Sequence, residues 1–93
     1  MLTSAYVSGR LGDEFGNNFR YVEVESPLIG TGGGRRTDLI PVYNPLGKSA
    51  TFFRAKKGSF VIVKGRIERD LEHGLYIHCE IEEIVDFKRE EKE

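Results

Sequence analysis

From Leu2 to Leu11 the small or apolar residues Ala5, Val7, Gly9 and Leu11 alternate with Tyr6, Ser8 and Arg10. A period of two is that of a strand with one buried face, so this run predicts the first strand. Gly12, Asp13, Gly16, Asn17 and Asn18 form a cluster of turn residues. Beyond them Phe19 to Glu25 alternates again, with Phe19, Tyr21, Glu23 and Glu25 on one side and Arg20, Val22 and Val24 on the other. The two runs predict a hairpin. Ser26 to Arg36 holds Pro27, Gly30, Gly32, Gly33 and Gly34 and ends in Arg35 and Arg36, which predicts a mobile loop with a basic tip. Thr37 to Tyr43 resumes as the third strand. Pro41 within it has no amide hydrogen to give a ladder and so needs a sheet edge or a bulge, and Asn44-Pro45 closes the strand.

Ser49 is placed to cap a short helix through Ala50, Phe52, Phe53 and Ala55, which Gly58 ends after the basic pair Lys56-Lys57. Ser59 to Arg69 is the clearest strand. Val61, Val63, Gly65 and Ile67 face one way, and Ile62, Lys64, Arg66 and Glu68 face outward. Asp70 to Leu75, with Gly74, predicts a turn. In the fifth strand, Tyr76 to Phe87, Ile77, Cys79 and Ile81 alternate against His78, Glu80 and Glu82, and the phase shifts near Glu83 as a bulge would shift it. Lys88 to Glu93 is a charged, solvated tail. Three strands, one short helix and two strands, with a glycine midway along the first and fourth, predict an all-β fold: a five-stranded antiparallel barrel of the oligonucleotide/oligosaccharide-binding (OB) type over residues 1–87. Such barrels bind on strands two and three and on the loops joining strands one to two and four to five.

The length of 93 residues, with 39% hydrophobic and 31% charged residues, is that of one globular domain. No apolar run is long enough to span a membrane, and the start of the chain has no basic-then-apolar leader, so the expectation is a cytoplasmic protein with no membrane partner. One cysteine, Cys79, permits no internal disulfide. A core of this size leaves room for subunit contacts to contribute. The formal net charge of -1 averages two unlike parts: residues 1–69 carry eleven Lys/Arg against six Asp/Glu, and residues 70–93 carry three against nine. That split fits either a polyanion-binding side with an acidic counterweight or two solvated faces.

Several segments resemble the bacterial and phage single-stranded DNA-binding protein family: Val7 with Gly9-Arg10-Leu11, then Thr37-Asp38-Leu39-Ile40-Pro41-Val42, Gly47-Lys48, Lys56-Lys57-Gly58-Ser59 and Val63-Lys64-Gly65-Arg66. They occur in the family's order and span roughly Leu2 to Phe87. The resemblance implies an OB fold that assembles as a homodimer or homotetramer and binds single-stranded DNA without sequence preference, in replication, repair or recombination. Departures accompany it. Leu39, Leu46 and Leu71 stand where the family often places stacking aromatics, no tryptophan is present, and the family's glycine-rich tail with its acidic tip, which recruits partner proteins, is absent. An OB module of a primosome or phage, docking replication or recombination proteins and binding DNA weakly, is the alternative.

The outward residues Phe19, Tyr21, Leu39 and Tyr43, with Lys64 and Arg66 of the fourth strand, are the candidate DNA surface, because bases stack on rings and cations neutralise the backbone. Arg35, Arg36, Lys48, Arg54, Lys56 and Lys57 are candidates for phosphate contacts. Some have a structural alternative: Phe19 and Tyr21 as cross-strand packing, Lys56 and Lys57 as a solvated helix end. Phe52 and Phe53 belong to the core. Signals of chemistry fail. Gly47-Lys48-Ser49 looks like a phosphate loop, but that motif needs glycine where Val42 stands. His73, His78 and Cys79 lack zinc-site spacing, and strand alternation sends His78 and Cys79 to opposite faces. No nucleophile-base pair is visible, so neither enzyme activity, cofactor nor metal is expected.

Overall fold

A computed structural model describes residues 4–27 and 35–86 of the chain. Its elements are β1 (Ala5–Phe15), β2 (Phe19–Pro27), β3 (Arg35–Tyr43), a 3-10 turn (Gly47–Ser49), the helix α1 (Thr51–Arg54), β4 (Phe60–Asp70) and β5 (Gly74–Asp86). The strands close into one barrel in the order β1-β2-β3-β5-β4. This is the expected OB barrel. Four of its pairings are antiparallel, and the closing one, Val42 with Ile77 and Tyr43 with His78, is parallel. The expected start of the first strand at Leu2, the middle of the glycine loop and the tail 88–93 lie outside the described residues; Ser26 and Pro27 of that loop pair with Arg36 and Arg35, so the arginines expected at a mobile tip belong to β3.

β1 is longer than its alternation implied because it serves two partners. Ala5 to Arg10 pairs with β4, and Arg10 to Phe15 pairs with β2. The change of partner needs close backbone approach. A Cβ on Gly9 would strike the Glu23 carbonyl, and one on Gly65 would strike the His78 carbonyl, so both mid-strand glycines are required where the barrel bends. An extra residue in β1 between Leu11 and Glu14 makes a bulge against β2. Pro41 is tolerated because β3 meets β5 only at Val42 and Tyr43, so its missing amide costs no rung on that side.

Leu11, Val22, Val42, Phe52, Val61 and Val63 fill the barrel with no exposed surface, joined by Phe53, Ile77 and Cys79. Phe52 and Phe53, edge to face at 5.3 Å, close one end from α1. That helix is only four residues long, too short to hold itself. Ser49, expected as its cap, lies in the preceding 3-10 turn, and Ala50 at the cap position has no side-chain acceptor to offer. Both ends are secured from the barrel instead. Glu82 of β5 accepts from the Phe52 amide (3.1 Å) and from Asn44 Nδ2 (2.8 Å). Arg20 of β2 donates from Nη1 to the Phe52 and Ala55 carbonyls (both 2.9 Å) and from Nε to the Gly12 carbonyl at the β1 bulge (2.8 Å). A carboxylate at the amide end and a cation at the carbonyl end suit the helix dipole.

Glu82 reaches that position through a correction to the expected phase of β5. Cys79 pairs with Gly65 and Ile81 with Lys64, so Glu80 is an extra residue, and a second extra residue, Val85, follows Ile84. The phase therefore shifts three residues before Glu83. Ile81, expected inward, is 59% exposed, and Glu82 turns in.

Two consequences are measurable. Arg20 is 4% exposed, and burial pushes its guanidinium below its ordinary value while Glu14 and Asp13 pull it back up. Replacing it by methionine strips three carbonyls of their donor, so Arg20→Met lowers stability by about 3 kcal/mol, read as a lower urea midpoint at unchanged slope. Burial, then the Glu82 carboxylate, pushes the Cys79 thiol up to about 12 from its ordinary 9.0. Its protonated form adds stability that is fully present below the unfolded value and is lost as pH rises toward the folded one. The urea midpoint therefore falls from about pH 9 upward, and Cys79→Ala shows a shallower fall than the parent.

Candidate nucleic-acid interface

The β1–β2 connection turns in three residues, with positive φ at Gly16 (56°) and Asn18 (66°). This tight turn sets Phe15 opposite Phe19. From there the register runs across the sheet in one line: Phe19 pairs with Tyr43, Tyr43 with His78, and His78 with Arg66. Five strands thus contribute one residue each to a row that begins with a ring and ends with a cation. Tyr21, beside Pro41, and Tyr76, beside Glu68, flank it.

The rings form a continuous cluster. Phe15 stacks on Tyr21 at 4.2 Å, and Phe19 stacks on His73 at 4.2 Å. Phe19 also contacts Phe15 (5.1 Å), Tyr43 (5.2 Å) and, edge-on, Tyr76 (5.2 Å), while Tyr43 meets His78 at 5.2 Å. Phe19 is 5% exposed at its centre, so it is the floor under the other rings and not an open stacking surface, which settles its two readings toward packing. Tyr21, Tyr43, Tyr76 and His78 remain half-buried, with ring surface still open. Tyr76 donates its hydroxyl to Glu68 at 3.3 Å, and burial, then Glu68, pushes the phenol up, so it stays a neutral donor.

The cations surround this face with carboxylate partners. Lys48 lies 3.4 Å from Glu14, Lys57 3.0 Å from Asp13, Arg36 3.2 Å from Asp38, and Arg66 2.9 Å from Glu68 and 3.7 Å from Glu80. These pairs are exposed and contribute little to stability, but each cation already has an anion beside it. Arg54 and Lys56 are exposed near the end of α1. Arg35 lies in β3 across from Pro27, and its side chain is outside the described residues. Lys64 is apart from the ring cluster: its cross-strand neighbours are Tyr6 and Ile81. Leu39 is on the outer side of β3 across from Glu23 and 52% exposed, and Leu46 and Leu71 are 66% and 100% exposed.

Of the residues singled out in the sequence, Phe19, Tyr21, Tyr43 and Arg66 lie in or beside this row; Phe15, His73, Tyr76 and His78 join it without having been candidates for it. Phe15 was hidden among turn residues, although extending the first strand to the glycine would have placed it across from Phe19. Tyr76 and His78 alternate with Ile77 and Cys79 in the sequence, but the β3–β5 pairing that brings them to Tyr43 carries no local mark. Cys79 is buried while His78 faces out with the rings, as alternation implied. Among the described residues no three His, Cys, Asp or Glu side chains converge as metal ligands, and no helix is long and apolar enough to cross a membrane.

No protein-family model matches the chain, and no curated protein matches it either. Solved structures do. Two crystal forms of mitochondrial single-stranded DNA-binding proteins from S. cerevisiae align with TM-scores of 0.65 and 0.60, at 15% and 17% identity, over 97% and 96% of this chain and 100% and 99% of theirs. At that identity the likeness shows the fold: the chain is an OB barrel of the architecture found in single-stranded DNA-binding proteins.

Proposed function

We propose that the protein is a non-enzymatic single-stranded DNA-binding protein. The observation that carries this reading is the cross-strand row from Phe15 to Arg66, with Tyr21 and Tyr76 beside it, on the outer face of an OB barrel. Single strands present flat bases and a charged backbone, and a ring surface edged by cations accommodates both without reading base edges. Tyr43, Tyr21 and Tyr76 stack bases. Arg66, Lys48, Lys57 and Arg36 neutralise phosphates after exchanging their carboxylate partners, with Arg35, Arg54 and Lys56 along the same path. Lys64, off the ring row, extends that path around the barrel. Each exchange returns a charge to an acidic residue, so the affinity falls with salt less steeply than the number of cations implies.

The likeness to mitochondrial single-stranded DNA-binding proteins supports the same reading, which extends to coating exposed strands during replication, repair or recombination, to assembly as a homodimer or homotetramer, and to a location with DNA in the cytoplasm. The exposed Leu39, Leu46 and Leu71 favour a second reading, in which an OB module docks replication proteins and binds DNA weakly, since leucine provides apolar contact without a ring face.

Anisotropy titration of labelled oligo(dT), with duplex competitor, separates the two. Saturable, salt-sensitive binding that duplex does not displace is expected, and no binding at micromolar protein and low salt overturns the first reading in favour of the second. Tyr43→Ala weakens binding about five- to hundredfold with the fold retained, the span of one lost base stack. Phe19→Ala instead removes the floor of the cluster and lowers stability by about 3 kcal/mol in urea unfolding.

A further inference from the structure

His73 joins the ring cluster from the turn between β4 and β5. Its ring lies on Phe19 at 4.2 Å with a 26° tilt. Its Nδ1 faces Asp70, 3.1 and 3.2 Å from the two carboxylate oxygens, and its backbone amide donates to Asp70 Oδ1 at 2.6 Å. A carboxylate only accepts, so the proton of the neutral ring is held on Nδ1, leaving Nε2 as a bare acceptor. Nε2 points toward the β1–β2 turn, 3.7 Å from where a Gly16 side chain would begin. The His73 side chain keeps 20% of its surface exposed, and the hydrogen bonds it makes among the described residues are from Nδ1 and the backbone amide.

We propose that His73 is a proton-controlled phosphate contact on this face: when Nε2 gains a proton it becomes a charged donor to a phosphate oxygen of the bound strand, and when it loses the proton it becomes a lone pair that repels one. The inference rests on the single-strand-binding reading and adds to it a dependence on pH. Asp70 lies on one side of the ring and Phe19 on the other. Asp70 supports the imidazolium through Nδ1, and Phe19 offers it a ring face. The other groups around the ring are Phe15 and Gly16 at the end of β1 and Tyr76 of β5, whose hydroxyl is engaged by Glu68. Glu14, next along β1, is paired with Lys48. Hydrogen bonds from the His73 amide and then its ring hold the Asp70 carboxylate below its ordinary value, so it stands beside Nδ1 as an anion. His78, on the same face with Nδ1 3.9 Å from Glu68, is the control position.

The experiment is oligo(dT) anisotropy at about pH 6 and about pH 8 on the full chain and on His73→Phe and His78→Phe. Phenylalanine keeps a ring on Phe19 and cannot be charged. The parent protein is expected to bind about tenfold tighter at the lower pH, the size of one charge-assisted hydrogen bond, with a salt slope steeper by about 0.7. His73→Phe should match the parent within about twofold at the higher pH and lose most of the tightening, whereas His78→Phe should keep it. In NMR titration of the parent, bound oligo(dT) should move the His73 imidazole to a higher pKa, because a proton that favours DNA is favoured by DNA. Equal tightening in His73→Phe and the parent, or an unmoved His73 titration in the complex, overturns the inference while leaving single-strand binding intact. Absence of binding by the parent at both values overturns the functional reading itself.

Discussion

The buried guanidinium of Arg20 is the interaction on which the rest of the barrel's closed end depends. It sits on the inner side of β2 beside Val22 and ties the β1 bulge, through the Gly12 carbonyl, to the last turn of α1. A four-residue helix has little cohesion of its own, so Phe52 and Phe53 plug the barrel only while both ends of that helix are held. Glu82 does the same at the opposite end. Two charged groups that a hydropathy pattern would send to the surface therefore turn inward, Arg20 satisfied by three backbone carbonyls and the half-buried Glu82 by the Phe52 amide and the Asn44 side chain. This satisfies buried polar backbone that a short helix otherwise leaves open.

Much of the fold was legible because it is written in local periods. The alternation around Val7, Val22, Val61 and Val63 gave the strands and their inner faces, and Gly9 and Gly65 marked the bends, since no other residue tolerates a carbonyl against its Cα. What was not legible is non-local. The cap of α1 comes from β5 and not from Ser49, because a carboxylate from across the barrel reaches the Phe52 amide that a local hydroxyl was expected to serve. The bulge at Glu80 has no composition signal: Ile81 reads as core until the pairing to Lys64 is known. The candidate interface divides the same way. Tyr21 and Tyr43 follow from strand phase alone, whereas Phe15, Tyr76 and His73 join them only once the turn at Gly16 and the β3–β5 register are in place.

On the same face a chain with almost no net charge sets cations beside carboxylates. Its acidic residues lie beside the basic ones, Asp13 by Lys57, Glu14 by Lys48 and Glu68 by Arg66, so the resting surface is nearly neutral at short range. On the single-strand-binding reading proposed above, duplex DNA with its rings hidden would meet only that neutral surface, whereas an unpaired strand would also meet the rings, and the stacking gained would offset the exchange of ion pairs.

The division of β1 between two partners also governs how the barrel forms. Its first half waits for β4, with Ala5 opposite Gly65, while its second half can zip onto β2 as soon as the adjacent turn closes. The pairing of β1 with β2 is local and its pairing with β4 is distant in sequence, so the first half of the strand owes the covering of its edge to a contact whose loop-closure entropy is the larger of the two.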